Sequence, residues 1–227
     1  VVHQPFPDDP RADGDRRLIA AWSMGQLGPL VRVGSLSRAM ENSDDQILVT
    51  AVQHHRGFIR LRFAYEPAPQ ESQIPENRDP AGELFALSHL AYFITEFPGV
   101  IALFNPNGER LTRPSDVWSS MDLAKMTGEA PWPIWVAITK FVDETAIGLR
   151  TVGMGQFDLP EVSVMGADKE DLDPLYEVAL KAFVGFCLEQ PCLEQGLWQH
   201  QDQAWSISEV ENPQVDGGIL RQLIRQT

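Results

Sequence analysis

The sequence predicts an α+β fold: a single domain with a largely antiparallel sheet packed against two or three helices. Three observations carry this. The chain has 227 residues, enough for one large domain. Its hydrophobic share is 43% against 22% charged, which suits a packed core rather than a disordered chain. Strand-like and helix-like runs follow one another irregularly instead of in repeating βα units, which favours mixed over doubly wound topology. With no internal repeat or interdomain linker, residues 17–227 read as one domain. Residues 1–16, with Pro5, Pro7, Pro10 and the Asp8-Asp9 and Asp13-Gly14-Asp15 clusters, read as an extended lead-in of turn residues.

Leu18–Trp22 opens a short helix, broken by Gly25, Gly28 and Pro29. Ile47–Val52 and Phe58–Tyr65 are rich in β-formers, and the second run alternates in the period-2 manner of a half-buried strand. Gln53–Gly57 between them reads as a hairpin connection, and Pro67 and Pro69 end the second strand. Asp79-Pro80 is a helix start, N-cap then N1. The stretch to Phe97 is apolar almost all round, which predicts a helix buried on most sides, with Leu87 and Leu90 in the core. Val100–Phe104 is a buried strand followed by a turn at Asn105-Pro106-Asn107-Gly108. Pro114 begins a helix to about Thr127 with Val117, Met121 and Ala124 on one stripe.

Ile134–Ile138 is the next strand, followed by a turn around Asp143-Glu144. Thr145–Thr151 and Glu161–Val164 are two more, joined by the glycine-bearing segment 153–159. The helix from Pro174, with Asp173 as N-cap, shows Leu175, Val178, Ala179, Ala182, Phe183 and Phe186 at helical spacing. Ala204–Ser208 reads as a final strand and Ile219–Ile224 as a short terminal helix.

Charge excludes one class of partner. Lys plus Arg number 18 and Asp plus Glu 32, so the formal charge is 18 − 32 = −14. Such a surface repels phosphate backbones, and no nucleic-acid ligand is expected; a basic protein partner is. No run of apolar residues is long enough to span a membrane, and the opening Val1-Val2-His3-Gln4-Pro5 lacks the charged and apolar regions of a secretory signal. The cytoplasm is therefore the expected location. Cys187 and Cys192 show no metal or redox spacing and read as two small hydrophobic thiols.

No hydrolase, metalloprotease, P-loop or dinucleotide signature is present. Gly153-Met154-Gly155 begins a G-x-G pattern, but no helix follows to present N–H groups to a phosphate. His54 and His55 are adjacent and could ligate one metal only in a bent turn, so they read as exposed turn residues. His89, among apolar neighbours, reads as a hydrogen-bonded boundary histidine. No metal and no cofactor is expected. Trp118, Trp132 and Trp135 cluster around Pro131 and Pro133; Trp132 and Trp135 are candidate ligand-stacking residues, although indoles more often cap a core. Glu161 opens an apolar strand. In a hairpin centred near Gly155-Gln156, Arg150 would fall opposite it, with Thr151 able to satisfy its carboxylate.

Thr151-Val152-Gly153-Met154-Gly155-Gln156-Phe157-Asp158-Leu159-Pro160-Glu161-Val162-Ser163-Val164 resembles a bacterial family, that catalogued as domain of unknown function 4261. The likeness lies in a strand ending in Thr-x-Gly-Met, an aromatic a few residues on, then Pro-Glu and an apolar strand. Glu66-Pro67-Ala68-Pro69, Gly99–Phe104 and Pro131–Val136 are compatible with it, so the resemblance spans roughly residues 45–190. It implies an α+β domain and brings no assigned activity.

Two classes of function compete. One is a non-catalytic binding or interaction module, in a bacterial defence or secretion-associated system. Its binding residues would come from Arg150, Thr151, Glu161, Trp132 and Trp135. The other is an enzyme with an unfamiliar site around Arg150, Thr151 and Glu161, aided by His89. The missing catalytic constellation favours the module.

Overall fold

The computed structural model describes residues 36–59, 61, 78–142, 147–166, 174–190, 193, 195–211 and 218–226. The lead-in, the helix at Leu18–Trp22 and the turn at Asp143-Glu144 lie outside them, as does most of the strand read at Phe58–Tyr65. Five helices are α1 (Leu36–Glu41), α2 (Gln46–Gln53), α3 (Pro80–Thr95), α4 (Pro114–Thr127) and α5 (Pro174–Glu189). A short hairpin, β1 (Leu103–Asn105) and β2 (Arg110–Thr112), stands apart from a six-stranded sheet. That sheet comprises β3 (Ala137–Val142), β4 (Ile147–Val152), β5 (Glu161–Met165), β6 (Gly196–His200), β7 (Gln203–Glu211) and β8 (Ile219–Arg225), in spatial order β3-β4-β5-β8-β7-β6. Only the β5–β8 pairing is parallel. The α+β, largely antiparallel expectation therefore holds.

Two segments adopt the opposite secondary structure to the one their residues suggest. Ile47–Val52 is helical because Asp45 caps it: the Asp45 carboxylate accepts the Leu48 N–H at 3.0 Å, and Leu48, Val49 and Val52 turn inward together. The cap and the packing outweigh the β preference of Ile and Val. Ile219–Ile224 is a strand, not a helix, and a central one, bonded to β5 on one side and β7 on the other. Its short apolar run fits either period, and sheet neighbours decide. The buried strand expected at Val100–Phe104 shrinks to the half-buried β1. The run expected at Ile134–Ile138 opens as a 3-10 turn, Trp132–Ile134, before β3 begins.

The core lies where α5 and α4 meet the sheet. Val117 and Met121 of α4, Leu180, Phe183 and Val184 of α5, and Val162, Val164 and Leu223 of the sheet are fully buried. Burying side chains of this size contributes about 1.5–3 kcal/mol each. The α5 stripe is rotated from the expected one. Leu175 and Val178 are exposed, and Leu180, Val184 and Cys187 face inward instead. Cys187 packs in the core as expected but is disulfide-bonded rather than a thiol; the chain's other cysteine, Cys192, lies outside the described residues.

Asp45 also joins α2 to the start of α4, since Arg113 donates to both of its carboxylate oxygens. That pairing, with the Leu48 N–H, holds the carboxyl down at about 2 from an ordinary 3.8. A carboxyl depressed on folding stabilises the fold above the unfolded value, about 3.9, and loses that contribution as pH falls toward the folded one. We expect an Asp45 carboxyl titration near pH 2 by NMR, moving back toward the ordinary range in Arg113→Met. An ordinary midpoint in the unsubstituted protein would mean the pair does not form in solution.

Candidate functional site

The strand pair β4–β5 brings Arg150, Thr151 and Glu161 to one end of the sheet, but not in the register the sequence suggests. Arg150 lies opposite Ser163 rather than Glu161, a shift of two residues. The cause is the connection: Met154–Phe157 forms a 3-10 turn in place of a tight hairpin, entered at Gly153 with φ 121 and left at Asp158 with φ 60. Glu161 is drawn into that turn. One oxygen accepts the Gly153 and Met154 N–H groups at 2.8 and 3.1 Å, and the other accepts the Thr151 hydroxyl at 2.6 Å. Thr151, fully buried, in turn accepts the Val162 N–H at 2.8 Å. The expectation that Thr151 satisfies Glu161 holds, and the carboxylate ties the turn to the strand.

Three donors on one carboxylate leave it a structural acceptor, with no second acid, base or histidine among its hydrogen-bond partners. Glu161→Gln places an amide group where only donors face it. We expect a stability loss of about 1–2 kcal/mol by urea denaturation with the fold retained. An unchanged midpoint would show that the turn does not depend on this carboxylate.

Arg150 is half-buried on β4 with its guanidinium 5.7 Å from the centre of the Phe141 ring. Burial lowers its pKa from the ordinary arginine value, while Glu161 and Glu109 pull it back up. Its Nε is buried without a hydrogen-bond partner. Trp135 is 2% exposed, and its indole donates to the Ser88 hydroxyl of α3 at 2.7 Å. Its carbonyl accepts from Asn105 and Gln156, each at 3.0 Å. It is a hub between α3, the β1–β2 hairpin and the 3-10 turn, so no ligand can stack on it. Trp132 is half-buried against the same core. Trp118 donates its indole N–H to Thr95. His89 lies edge-on to Phe85, 4.6 Å between ring centres, with Nδ1 3.2 Å from the Phe85 carbonyl of its own helix. The structure does not bring it to Glu161 through any hydrogen bond.

A cleft of about 380 Å³ is lined by His54, His55, Arg56, Gly99 and Ile101. Both imidazoles fold back on the end of α2, with Nδ1 2.8 Å from the Thr50 carbonyl and 2.6 Å from the Val52 carbonyl. A carbonyl only accepts, so both Nδ1 atoms donate, capping carbonyls that a helix end leaves open. Among the described residues no group of three His, Cys, Asp or Glu stands together to hold a metal ion.

The remaining feature is a surface. Helix α3 starts where expected, with Pro80 at N1 and the Asp79 carboxylate accepting the Gly82 N–H at 2.9 Å. Ser88, Ala91 and Thr95 are buried, and half-buried Leu84, Phe85 and Tyr92 pack on the core. Among the described residues nothing covers the opposite side. Leu90 and Phe93 are 53 and 57% exposed, with exposed Ala86 on the same stripe at i, i+4, i+7, and Phe97, just past the helix end, is 66% exposed. The helix is thus buried on one side only, and Leu90 is not a core residue. An all-apolar helix reads as enclosed, and nothing in its own pattern tells the packed side from the open one. Leu90→Ser should therefore change stability by less than about 0.5 kcal/mol, checked by thermal melting; a loss of several kcal/mol would put Leu90 inside the core.

Comparison of the chain with protein-family models, with curated proteins and with solved structures gave no significant match. Among the described residues no helix is long and apolar enough to cross a membrane.

Proposed function

We propose that this chain is a non-catalytic binding module whose docking surface is the outer face of α3. The observation that carries the reading is the exposed pair Leu90 and Phe93 on that face, with exposed Phe97 just past the helix end. Large apolar side chains gathered on one exposed face mark an interaction site, whereas single ones do not. The cluster first suspected of chemistry spends its groups internally: Glu161 and Thr151 bond the turn, and Trp135 bonds Ser88. The charge of −14 favours a basic protein as partner by steering its approach. Membership of a bacterial defence or secretion-associated system, and the resemblance to domain of unknown function 4261, belong to the same proposal.

A disulfide such as that at Cys187 persists in oxidising surroundings, so the proposal carries no cytoplasmic placement with it. The enzyme reading draws on one observation, the buried Arg150 Nε without an acceptor. It would gain if Arg150→Lys abolished a reaction while leaving the melting temperature unchanged.

Site-resolved photo-crosslinking tests the module. A photoreactive residue at position 93 should form adducts in the native host, and one at Val142, 71% exposed but far along the chain on β3, should not. Equal adduct yields at both positions, or none at 93, would refute the docking surface.

A further inference from the structure

We propose that the outer face of α3 seats an amphipathic helix whose polar side is basic; this rests on the docking reading above and names its occupant. Three features converge on that partner. The first is spacing. Ala86, Leu90 and Phe93 cover about 10 Å of helix axis, two turns, and repeat as a partner helix laid alongside would require; Phe97 follows two residues past the helix end. Ala86 at one end is small enough to let a second backbone approach, and the two phenylalanines at the other supply the large, rigid contacts that dominate interfaces.

The second is the kind of hydrogen bonding available. The backbone groups of α3 are consumed within the helix, so the face cannot add a strand, and recognition must run through side chains. The third is charge. Glu83 is the only ionised side chain within α3, Glu96 follows at its C-terminal end, and the helix carries no Lys or Arg. On the neighbouring helix Lys125 is already engaged, 3.1 Å from Asp122 and 4.2 Å above the Tyr92 ring. Among the described residues an approaching cation meets acidic groups and no free competing cation on this helix pair. The same charge disfavours the rival occupants. A second copy would bring another −14 molecule against this one, and an anionic lipid surface would be repelled.

The probe is a labelled peptide about 18 residues long, about 27 Å as a helix, with Leu on one face and Lys on the other. Two controls accompany it, one with Glu in place of every Lys and one of scrambled order with the same composition. Fluorescence anisotropy against the full chain should show the Leu/Lys helix binding about tenfold or more tighter than either control, and weakening as salt is raised. Phe93→Ser with Phe97→Ser should cost about tenfold or more, and Val142→Ser should cost nothing. Binding of the Leu/Lys helix that ignores the Phe93→Ser, Phe97→Ser pair, or equal binding of the Glu control, overturns the proposal. So does concentration-dependent dimerisation in sedimentation that these substitutions abolish, which would make a second copy the occupant. Binding to phosphatidylserine vesicles lost in the same variant would overturn it in favour of a membrane. Adducts at position 93 together with no preference for the Leu/Lys helix would overturn the occupant alone and leave the docking surface standing; no adducts would remove both.

Discussion

Trp135→Ala is expected to destabilise the protein by about 3–5 kcal/mol, a large part of what holds a domain of this size folded. The side chain is 2% exposed and lies 5.6 Å, ring centre to ring centre, from Phe157 in the 3-10 turn. Its removal leaves a cavity in the buried core beside Phe157, which cannot close without moving the hairpin or α3. Trp135→Phe separates packing from polarity. It keeps most of the volume and gives up only the indole bond to Ser88, whose hydroxyl still donates to the Leu84 carbonyl at 2.8 Å. That variant should cost about 1 kcal/mol. Guanidinium denaturation of both proteins checks the pair. Equal losses would mean that the indole N–H, not the ring, is what the core needs.

Gly108→Ala is the second large effect, about 3 kcal/mol, and it arises from too much volume rather than too little. A Cβ at Gly108 would overlap the Trp135 carbonyl oxygen and approach the Val152 carbonyl at 3.5 Å. Backbone sits on both sides, so no side chain can swing away. The hairpin β1–β2 would have to lift from the sheet, loosening the Asn105 amide from the Trp135 carbonyl and moving Glu109, which accepts from Arg38 of α1. Differential scanning calorimetry should show a lowered melting temperature. Amide exchange should quicken first in residues 103–112. A variant as stable as the parent would mean that the hairpin docks elsewhere in solution.

The parts of this fold that were legible in the sequence are those specified by local chemistry. Asp79-Pro80 and Pro114 set two helix starts to the residue, and Val117, Met121 and Ala124 are the buried stripe of α4 as their spacing indicates. Asn105–Gly108 makes the expected turn. What was not legible depends on contacts distant in sequence. Ile47–Val52 turns on a single cap at Asp45, and Ile219–Ile224 on two strands that receive it. The strand at Gly196–His200 was missed because Gln199 and His200 dilute its apolar content, although Trp198 sits against Trp205 across the pair. At the candidate site, the Thr151–Glu161 contact could be read from two adjoining strands. The displaced register of Arg150 could not, because it is set by a 3-10 turn that a glycine-rich segment does not announce. The open side of α3 is invisible for a different reason: burial is a property of neighbours.

The place of β8 between β5 and β7 has a consequence for how the chain reaches this structure. β3, β4 and β5 are successive antiparallel neighbours, and so are β6 and β7; each group can assemble from short-range pairings. Neither group touches the other until β8, the last strand in sequence, enters in parallel with β5 and antiparallel to β7. Until then two half-sheets each carry an unpaired inner edge, β5 on one and β7 on the other. Closure across such a span is slow compared with hairpin formation. Any state in which β8 has not yet entered leaves those two edges open to whichever strand arrives first. The strand that finishes the sheet is also the one that closes both of those edges.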